Sequence, residues 1–118
     1  MLTLAAAALP IYFCLVPTDM RKGFDGLMRL AQEQAARDVL SGGLFVFVNR
    51  RRDRVKLLWW DEDGLVIFYK RLEAGTFETP IVDEATQHVV LSPTPLGLLL
   101  GGIELARVRR RKRYRRSV

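Results

Sequence analysis

Three segments rich in strand-forming residues, joined by two short turns, constrain the fold of this chain more than any other feature. The segments cover residues 44–48, 54–60 and 65–72, and valine, isoleucine, phenylalanine, tryptophan and tyrosine are frequent in them. The turns cover residues 49–53 and 61–64, and the second ends in Asp-Gly, a step that is typical of hairpins. The sequence therefore predicts a three-stranded antiparallel meander.

The two turns of the predicted meander carry opposite charges. The first turn contains three consecutive bases, Arg50, Arg51 and Arg52. The second turn contains three consecutive acids, Asp61, Glu62 and Asp63. Because successive hairpin turns lie at opposite ends of a sheet, we expect one end of the meander to be basic and the other end to be acidic.

The central predicted strand carries two adjacent tryptophans, Trp59 and Trp60. Successive side chains of a strand point to opposite faces, so each face of the sheet receives one tryptophan near the acidic turn. Two arrangements fit this pattern. Either both faces of the sheet are covered there, or one tryptophan is exposed to a partner, and burial is the commoner fate of so large a side chain.

The segment before the meander predicts a strand followed by a long helix. Residues 11–16 are apolar enough for a short strand, and the polar pair 18–19 is suited to cap a helix over about residues 20–37. Gly23 and Gly26 lie inside this helix, although each costs about 1 kcal/mol relative to alanine. Their presence predicts either close packing of another backbone against the helix or a later helix start.

After the meander, residues 87–91 predict a further strand, and residues 96–105 predict a short helix that packs on the sheet. Together these elements predict one α+β domain over residues 1–106. Its expected architecture is an antiparallel β-sheet of four to five strands, with one long helix after the first strand and a short C-terminal helix. A basic tail over residues 107–118 follows the domain.

The tail holds eight basic side chains and no acid. They are Arg107, Arg109, Arg110, Arg111, Lys112, Arg113, Arg115 and Arg116. Without these eight, the 19 Lys and Arg of the chain fall to 11, against 13 Asp and Glu, so the domain itself is slightly acidic. So dense a run of like charges predicts disorder in the absence of a partner. Nucleic acid is the expected partner, because neutralised phosphates release condensed counterions, and a merely solubilising terminus is the alternative.

The sequence contains little that predicts catalysis. His88 is the only histidine and lies in an apolar stretch, and Cys14 is the only cysteine, which excludes an intrachain disulfide and a multi-cysteine metal site. Two-metal nucleases gather carboxylates from separate elements, whereas the carboxylate cluster of this chain occupies one short turn. We therefore predict that the protein is not an enzyme and uses no cofactor and no metal.

The first 18 residues carry no charged side chain, as some secretory and membrane segments do. No lysine or arginine precedes the apolar run, however, and a secretory signal normally places one there. Pro10 and Pro17 also interrupt the stretch, which is shorter than the roughly 20 apolar residues of a membrane span. We therefore expect a cytoplasmic protein with no membrane partner, with a membrane-anchored protein as the less favoured alternative.

Four segments of the chain form a distinctive series. They are PTDMRKGFDGL at residues 17–27, GLFVF at 43–47, RRDRVKLLWWD at 51–61 and YKRLEAGTF at 69–77. In order and spacing, this series resembles the accessory protein TnpB of the IS sixty-six type of bacterial insertion sequence, which is distinct from the RNA-guided nuclease of the same name. The resemblance covers about residues 9–105, which is nearly all of the predicted domain.

This resemblance implies a small accessory protein that is encoded beside a separate, larger transposase. The transposase would supply the catalytic acidic residues, in agreement with the lack of a catalytic set in this sequence. The family offers no catalytic residues to carry over, so the PTDMRKG and WWD…KRL segments are signature residues without an assigned role.

Two functions agree with these observations. In the first, an accessory factor of transposition binds DNA through the tail and the three arginines of the first turn, largely by phosphate contacts, and Tyr114 offers a ring for stacking on a base. In the second, the protein docks on the transposase without direct DNA binding, through Trp60 and the acids of the second turn. Aromatic anchors carry much of the binding energy in such protein interfaces.

Overall fold

The computed structural model describes residues 9–77, 87–94 and 108–109 of the chain. Its elements are numbered here in chain order. They are β1 (Leu9–Cys14), α1 (Phe24–Ala35), a short 3-10 turn (Val39–Ser41), β2 (Leu44–Val48), β3 (Arg54–Asp61), β4 (Gly64–Arg71), β5 (Thr76–Phe77), β6 (His88–Thr94) and β7 (Val108–Arg109).

Five of these strands form one sheet in the order β4-β3-β2-β1-β6. Strands β2, β3 and β4 make the predicted antiparallel meander, in which Val48 lies opposite Val55 and Asp61 lies opposite Gly64. Strand β6 adds to the other side of β1 in the antiparallel direction. With one α-helix among the described residues, this arrangement confirms the predicted α+β class.

The prediction of a wholly antiparallel sheet is wrong at one pair of strands. Strand β1 runs parallel to β2, with Ile11 opposite Leu44 and Cys14 opposite Phe47. Helix α1 lies between these strands in the chain and returns it to the end of the sheet where β1 begins, so β2 runs in the same direction as β1. The sheet is therefore mixed, and β1 is one of its interior strands.

Helix α1 begins four residues later and ends two residues earlier than the sequence predicts. Gly23 occupies the N-cap position, and Asp19 accepts a hydrogen bond from the N–H of Arg21 instead of capping the helix. A side-chain carbon at Gly23 would meet no atom within 4 Å, so the late start, and not a closely packed backbone, accounts for this glycine. Ala36 ends the helix in the left-handed conformation, with φ at 53°.

Apolar side chains are buried on both faces of the sheet. On the face that α1 covers, here called the helix face, they are Tyr12, Cys14, Leu27, Ala31, Ala35, Val39, Phe45, Phe47 and Leu58. On the opposite face they are Ile11, Phe13, Leu44, Val46, Val48, Val55, Leu57, Trp59 and Phe77. Trp59 is 1% exposed, whereas Trp60 is 38% exposed. Each face therefore has a buried cluster, but Trp60 is partly exposed near the acidic turn, as in the second arrangement, and a partner for it stays a prediction.

Beyond residue 77, the structure describes only residues 87–94 and 108–109. The helix predicted over residues 96–105 lies outside the described residues, as do residues 107 and 110–118 of the predicted tail. Residues Val108–Arg109 form β7, which pairs with β5 in the antiparallel direction. The short C-terminal helix and the disorder of the tail stay predictions.

Candidate nucleic-acid interface

We call the turn between β2 and β3, residues 49–53, the arginine turn. Its three arginines are exposed, and hydrogen bonds hold its backbone in place. The side-chain oxygen of Asn49 accepts hydrogen bonds from the N–H groups of Asp53 and Arg54, both at 3.0 Å. The side-chain amide of Asn49 donates to the Asp53 carboxylate at 2.7 Å. Arg52 adopts the left-handed conformation, with φ at 59°. None of the three arginines forms an ion pair with a carboxylate that the structure describes.

Residues 17–23, called the signature loop, lie at the same end of the sheet as the arginine turn. Because β1 and β2 are parallel, the chain leaves both strands at this end, and the N–H of Thr18 donates to the Val48 carbonyl at 2.9 Å. The exposed Arg21 donates to the Asp19 carboxylate at 2.7 Å, and hydrogen bonds from Arg21 lower the pKa of Asp19 to about 2. An open cleft of about 300 Å³ lies between the loop and the turn.

A buried lysine ties the signature loop to the sheet. Lys56 of β3 is 8% exposed, and its Nζ donates to the carbonyl of Lys22 at 2.8 Å. Its ammonium also lies 4.8 Å from the centre of the Tyr69 ring. Each of these three residues belongs to a different one of the segments that carry the sequence resemblance. The contacts therefore give those signature residues a structural role, which is to hold the loop against the sheet.

Backbone hydrogen bonds join the arginine turn to residues 72 and 77, and β5 in turn pairs with the start of the basic tail. The N–H of Leu72 donates to the Asp53 carbonyl at 2.7 Å, and the N–H of Phe77 donates to the Arg52 carbonyl at 2.6 Å. Phe77 belongs to β5 and lies opposite Val108 of β7. The backbone of Arg109 is thus held near the arginine turn. The other predicted tail contacts lie outside the described residues, namely Arg107, Arg110, Arg111, Lys112, Arg113, Arg115 and Arg116, as does Tyr114.

Further basic side chains extend this surface along β3 and β4 on the helix face. The strand register places Arg54 opposite Arg71 and Lys56 opposite Tyr69, and directly opposed residues share a face. The Nη1 of Arg54 donates to the Tyr69 hydroxyl at 3.2 Å, and Arg71 pairs with Glu73 at 3.2 Å. We call these residues the tyrosine cluster, comprising Arg54, Lys56, Tyr69 and Arg71. The signature loop, arginine turn, β5–β7 pair and tyrosine cluster together form the basic end.

The acidic turn lies at the other end of the same meander. Residues 61–63 join β3 to β4, seven residues along β3 from Arg54, or roughly 23 Å at about 3.3 Å per residue. Glu62 adopts the left-handed conformation, with φ at 54°. Trp60 lies opposite Leu65 and is partly exposed beside this turn. The four residues predicted to dock a partner are therefore consecutive at one tip, and their partner stays a prediction.

Cys14 and His88, two of the residues weighed for catalysis, lie opposite each other on neighbouring strands. Cys14 is buried, and the desolvation that follows from burial raises the pKa of its thiol to about 12, so the thiolate nucleophile is scarce. Within residues 9–77, 87–94 and 108–109, no three His, Cys, Asp or Glu side chains are grouped to hold a metal ion. No helix in the same ranges is long and apolar enough to cross a membrane.

Comparison with known proteins assigns this arrangement to a family. The model of the family described as IS66 Orf2 like protein matches residues 9–110. The chain belongs to the IS66 Orf2-like family. The match confirms the resemblance to the accessory protein of this type of insertion sequence, and it covers every described element, including β7.

Two relatives of the IS66 Orf2-like chain come from Sinorhizobium fredii. The uncharacterized protein y4jC is 36% identical over 95 residues, which is 80% of each chain. The uncharacterized protein y4hO is 39% identical over 87 residues, or 74% of each chain. No solved structure matches the chain significantly. The family places this protein among insertion-sequence proteins and is not a known enzyme family.

The sequence analysis missed the tyrosine cluster, although a signal for it was present. A hairpin turn fixes the register of its two strands, and placing Asp61 opposite Gly64 also places Arg54 opposite Arg71. No comparable sequence signal marks the link between the arginine turn and the tail. Strands β5 and β7 have two residues each, too few for any hydrophobic periodicity to mark them.

Proposed function

We propose that this protein is a non-catalytic accessory factor of insertion-sequence transposition, which binds DNA with its basic end and assists a separate transposase in the bacterial cytoplasm. One observation carries the proposal. The hydrogen bond from Phe77 to Arg52 and the pairing of β5 with β7 bring the start of the tail to the arginine turn. The backbone of Val108 and Arg109, at the start of the tail, thus lies beside a strand that is hydrogen-bonded to the arginine turn.

The chemistry of this surface suits contacts with phosphates. The arginines of the turn are exposed and, among the described residues, unpaired with carboxylates, so they can neutralise phosphates without first breaking an internal ion pair. Contacts of this kind fix the position of a protein on DNA without reading the bases. If six to eight form, the logarithm of the affinity falls with the logarithm of the salt concentration at a slope of about −5 to −7.

The position of the acidic turn also supports binding of DNA at the basic end. It lies at the far end of β3, so a phosphate backbone that approaches the protein is attracted by one end of the meander and repelled by the other. This separation predicts that DNA approaches from the basic end.

Charge removal at each end of the full chain tests this proposal. Changing Arg50, Arg51 and Arg52 to Gln should weaken binding of a labelled duplex about a hundredfold at 0.1 M salt, and the salt slope should fall by about 3. The matched control changes Glu62→Gln and Asp63→Asn, and should leave the affinity unchanged or slightly higher. Equal effects of the two variants, or a salt-insensitive interaction in the unmodified protein, would contradict DNA binding by the basic end.

A second function, docking on the transposase through the acidic tip, is favoured by the exposure of Trp60. A tryptophan that is 38% exposed beside three acids offers both an aromatic anchor and a charged rim. Changing Glu62→Lys and Asp63→Lys should then abolish capture of the transposase and leave duplex binding intact. Survival of capture in this folded variant would exclude the acidic tip as the docking surface.

A further inference from the structure

The tyrosine cluster contains an exposed aromatic ring that phosphate binding alone does not require. Tyr69 is 47% exposed on β4, an edge strand of the five-stranded sheet. The ammonium of Lys56 lies over the ring, 4.8 Å from its centre. Arg54 donates to the hydroxyl at 3.2 Å and holds the ring in place.

The charges around this ring favour an anion. Arg54 and Arg71 lie directly opposite each other on one face of an antiparallel pair, where like charges destabilise the sheet. Glu73 forms an ion pair with Arg71, but the Glu73 side chain is 68% exposed and the Arg71 side chain is 59% exposed. Solvent screens an ion pair this exposed, so Glu73 offsets the repulsion only in part. In the described part of the chain, no carboxylate pairs with Arg54 or Lys56. A phosphate between the two arginines would therefore relieve their repulsion.

Two separate clefts, one beside the ring and one beside the arginine turn, have Arg54 as a common lining residue. The cleft beside Tyr69 measures about 370 Å³ and is lined by Arg54, Tyr69, Arg71 and Glu73. Arg54 also lines the cleft between the arginine turn and the signature loop. A strand of nucleic acid whose phosphates contact the arginine turn can therefore continue past Arg54 to the ring.

We propose that Tyr69 stacks on an unpaired base of single-stranded DNA while Arg54 and Arg71 hold the neighbouring phosphates. This inference rests on the proposed function and deepens it. The bases of an intact duplex are covered on both sides by their neighbours, whereas an unpaired base offers its face to an aromatic side chain. The basic end therefore binds a single strand, or the frayed end of a duplex, more tightly than it binds an intact duplex.

Affinities of the full chain for a labelled oligo(dT) strand and for a duplex of equal length test this inference. Removal of one stacking ring weakens single-strand binding about 5- to 150-fold, so Tyr69→Leu should have an effect of this size on oligo(dT) and little effect on the duplex. Tyr69→Phe keeps the ring and should keep most of the affinity. Arg51→Gln is the matched control, because loss of a phosphate contact should weaken both ligands alike.

The results separate this inference from the proposed function. If Tyr69→Leu leaves oligo(dT) binding unchanged, or weakens both ligands equally, stacking is wrong, while salt-dependent duplex binding that needs the arginine turn would still support the proposed function. If the unmodified protein binds neither ligand, the proposed function itself is wrong.

Photo-crosslinking of the unmodified protein gives an answer that does not depend on how the variants fold. An oligonucleotide carrying 5-iodouracil crosslinks to an aromatic ring stacked on that base, and mass spectrometry then identifies the modified residue. Crosslinks at Tyr69 are expected. Crosslinks confined to other aromatic residues, such as Tyr114 of the tail, would overturn the inference.

Discussion

The two ends of the meander are built from the same kind of element, a turn between antiparallel strands, but their surroundings differ. The arginine turn is braced by Asn49 and Asp53 and receives backbone hydrogen bonds from Leu72 and Phe77. The signature loop packs beside it through the bond from Thr18 to Val48. The acidic turn, in contrast, consists of residues 61–63 from a single hairpin.

The basic end is thus a surface assembled from several chain segments, whereas the acidic end is the turn of one hairpin. Segments that are distant in the chain build the basic end, and each of its parts is held to another by hydrogen bonds or strand pairing. Such bracing costs conformational entropy, which is compensated only when many contacts form together. A broad and fixed set of cations suits a long polyanion, whereas a small acidic tip with one exposed tryptophan suits a limited protein contact.

Truncating Trp59 and Trp60 one at a time tests whether the partly exposed Trp60 contributes as much to stability as the buried Trp59. Trp59→Ala should lower the free energy of unfolding by about 3–5 kcal/mol, because it opens a cavity in the buried cluster. Trp60→Ala should cost only about 1 kcal/mol, since its side chain is 38% exposed. Urea denaturation of both variants measures the difference. Similar losses would show that Trp60 is a core residue and would remove the argument for a free anchor.

Removal of the brace tests the difference between the two turns directly. Asn49→Ala deletes three partly buried hydrogen bonds and should lower the free energy of unfolding by about 2–3 kcal/mol. Asp63→Ala in the acidic turn is the control and should change it by less than about 0.5 kcal/mol. The same denaturation experiment applies, with duplex affinity as a second measurement. If Asn49→Ala were neutral, the arginine turn would be no better braced than the acidic one.

One residue in each turn has a positive φ, which provides a matched pair of substitutions. Arg52 and Glu62 adopt left-handed conformations that glycine tolerates better, so Arg52→Gly and Glu62→Gly should each stabilise the fold by about 0.5–1 kcal/mol. Only Arg52→Gly should weaken duplex binding, because only it removes a cation from the basic end. Thermal unfolding and binding measured in parallel check both expectations. A loss of DNA affinity in Glu62→Gly would mean that the two ends are not independent.

The smallest expected effect concerns Asp19 of the signature loop. Hydrogen bonds from Arg21 lower its folded pKa to about 2, below the roughly 3.9 of an unfolded aspartate. A depressed pKa contributes stability that is present above pH 4 and is lost as the pH falls from about 4 to 2. The exposed carboxylate makes this contribution small. NMR titration of Asp19 measures its pKa, and Arg21→Gln should return it toward the ordinary value.

The sequence predicted the meander and its oppositely charged ends because both depend on neighbours in the chain. Strand propensity, the Asp-Gly step and the alternation of hairpin turns are local signals. The direction of β1 was missed because an apolar strand looks the same in either direction, although a helix between two strands is typical of a parallel crossover. The cap of α1 was predicted wrongly because Asp19 binds Arg21, although Gly23 had left a later helix start open as an alternative.

The composite basic end could not be predicted, because long-range contacts assemble it. The pairing of Thr76 with Arg109 and of Phe77 with Val108 joins segments that are distant in the chain and carry no pattern of their own. Lys56 illustrates the same limit. A lysine in an apolar strand indicates nothing about its partner, and only the fold brings the carbonyl of Lys22 to it.

The interior position of β1 also limits how early its part of the sheet can be completed during translation. The meander of β2, β3 and β4 needs only short loops and can pair early, because contacts between chain neighbours form fastest. Strand β1 leaves the ribosome before any of its partners, and its second partner, β6, is not available until residues 88–94 have been made. Strand β7 follows later still. Nascent chains that stop before it lack the pairing of β5 with β7, so under the proposed function a prematurely released product would bind DNA more weakly than the longer chain.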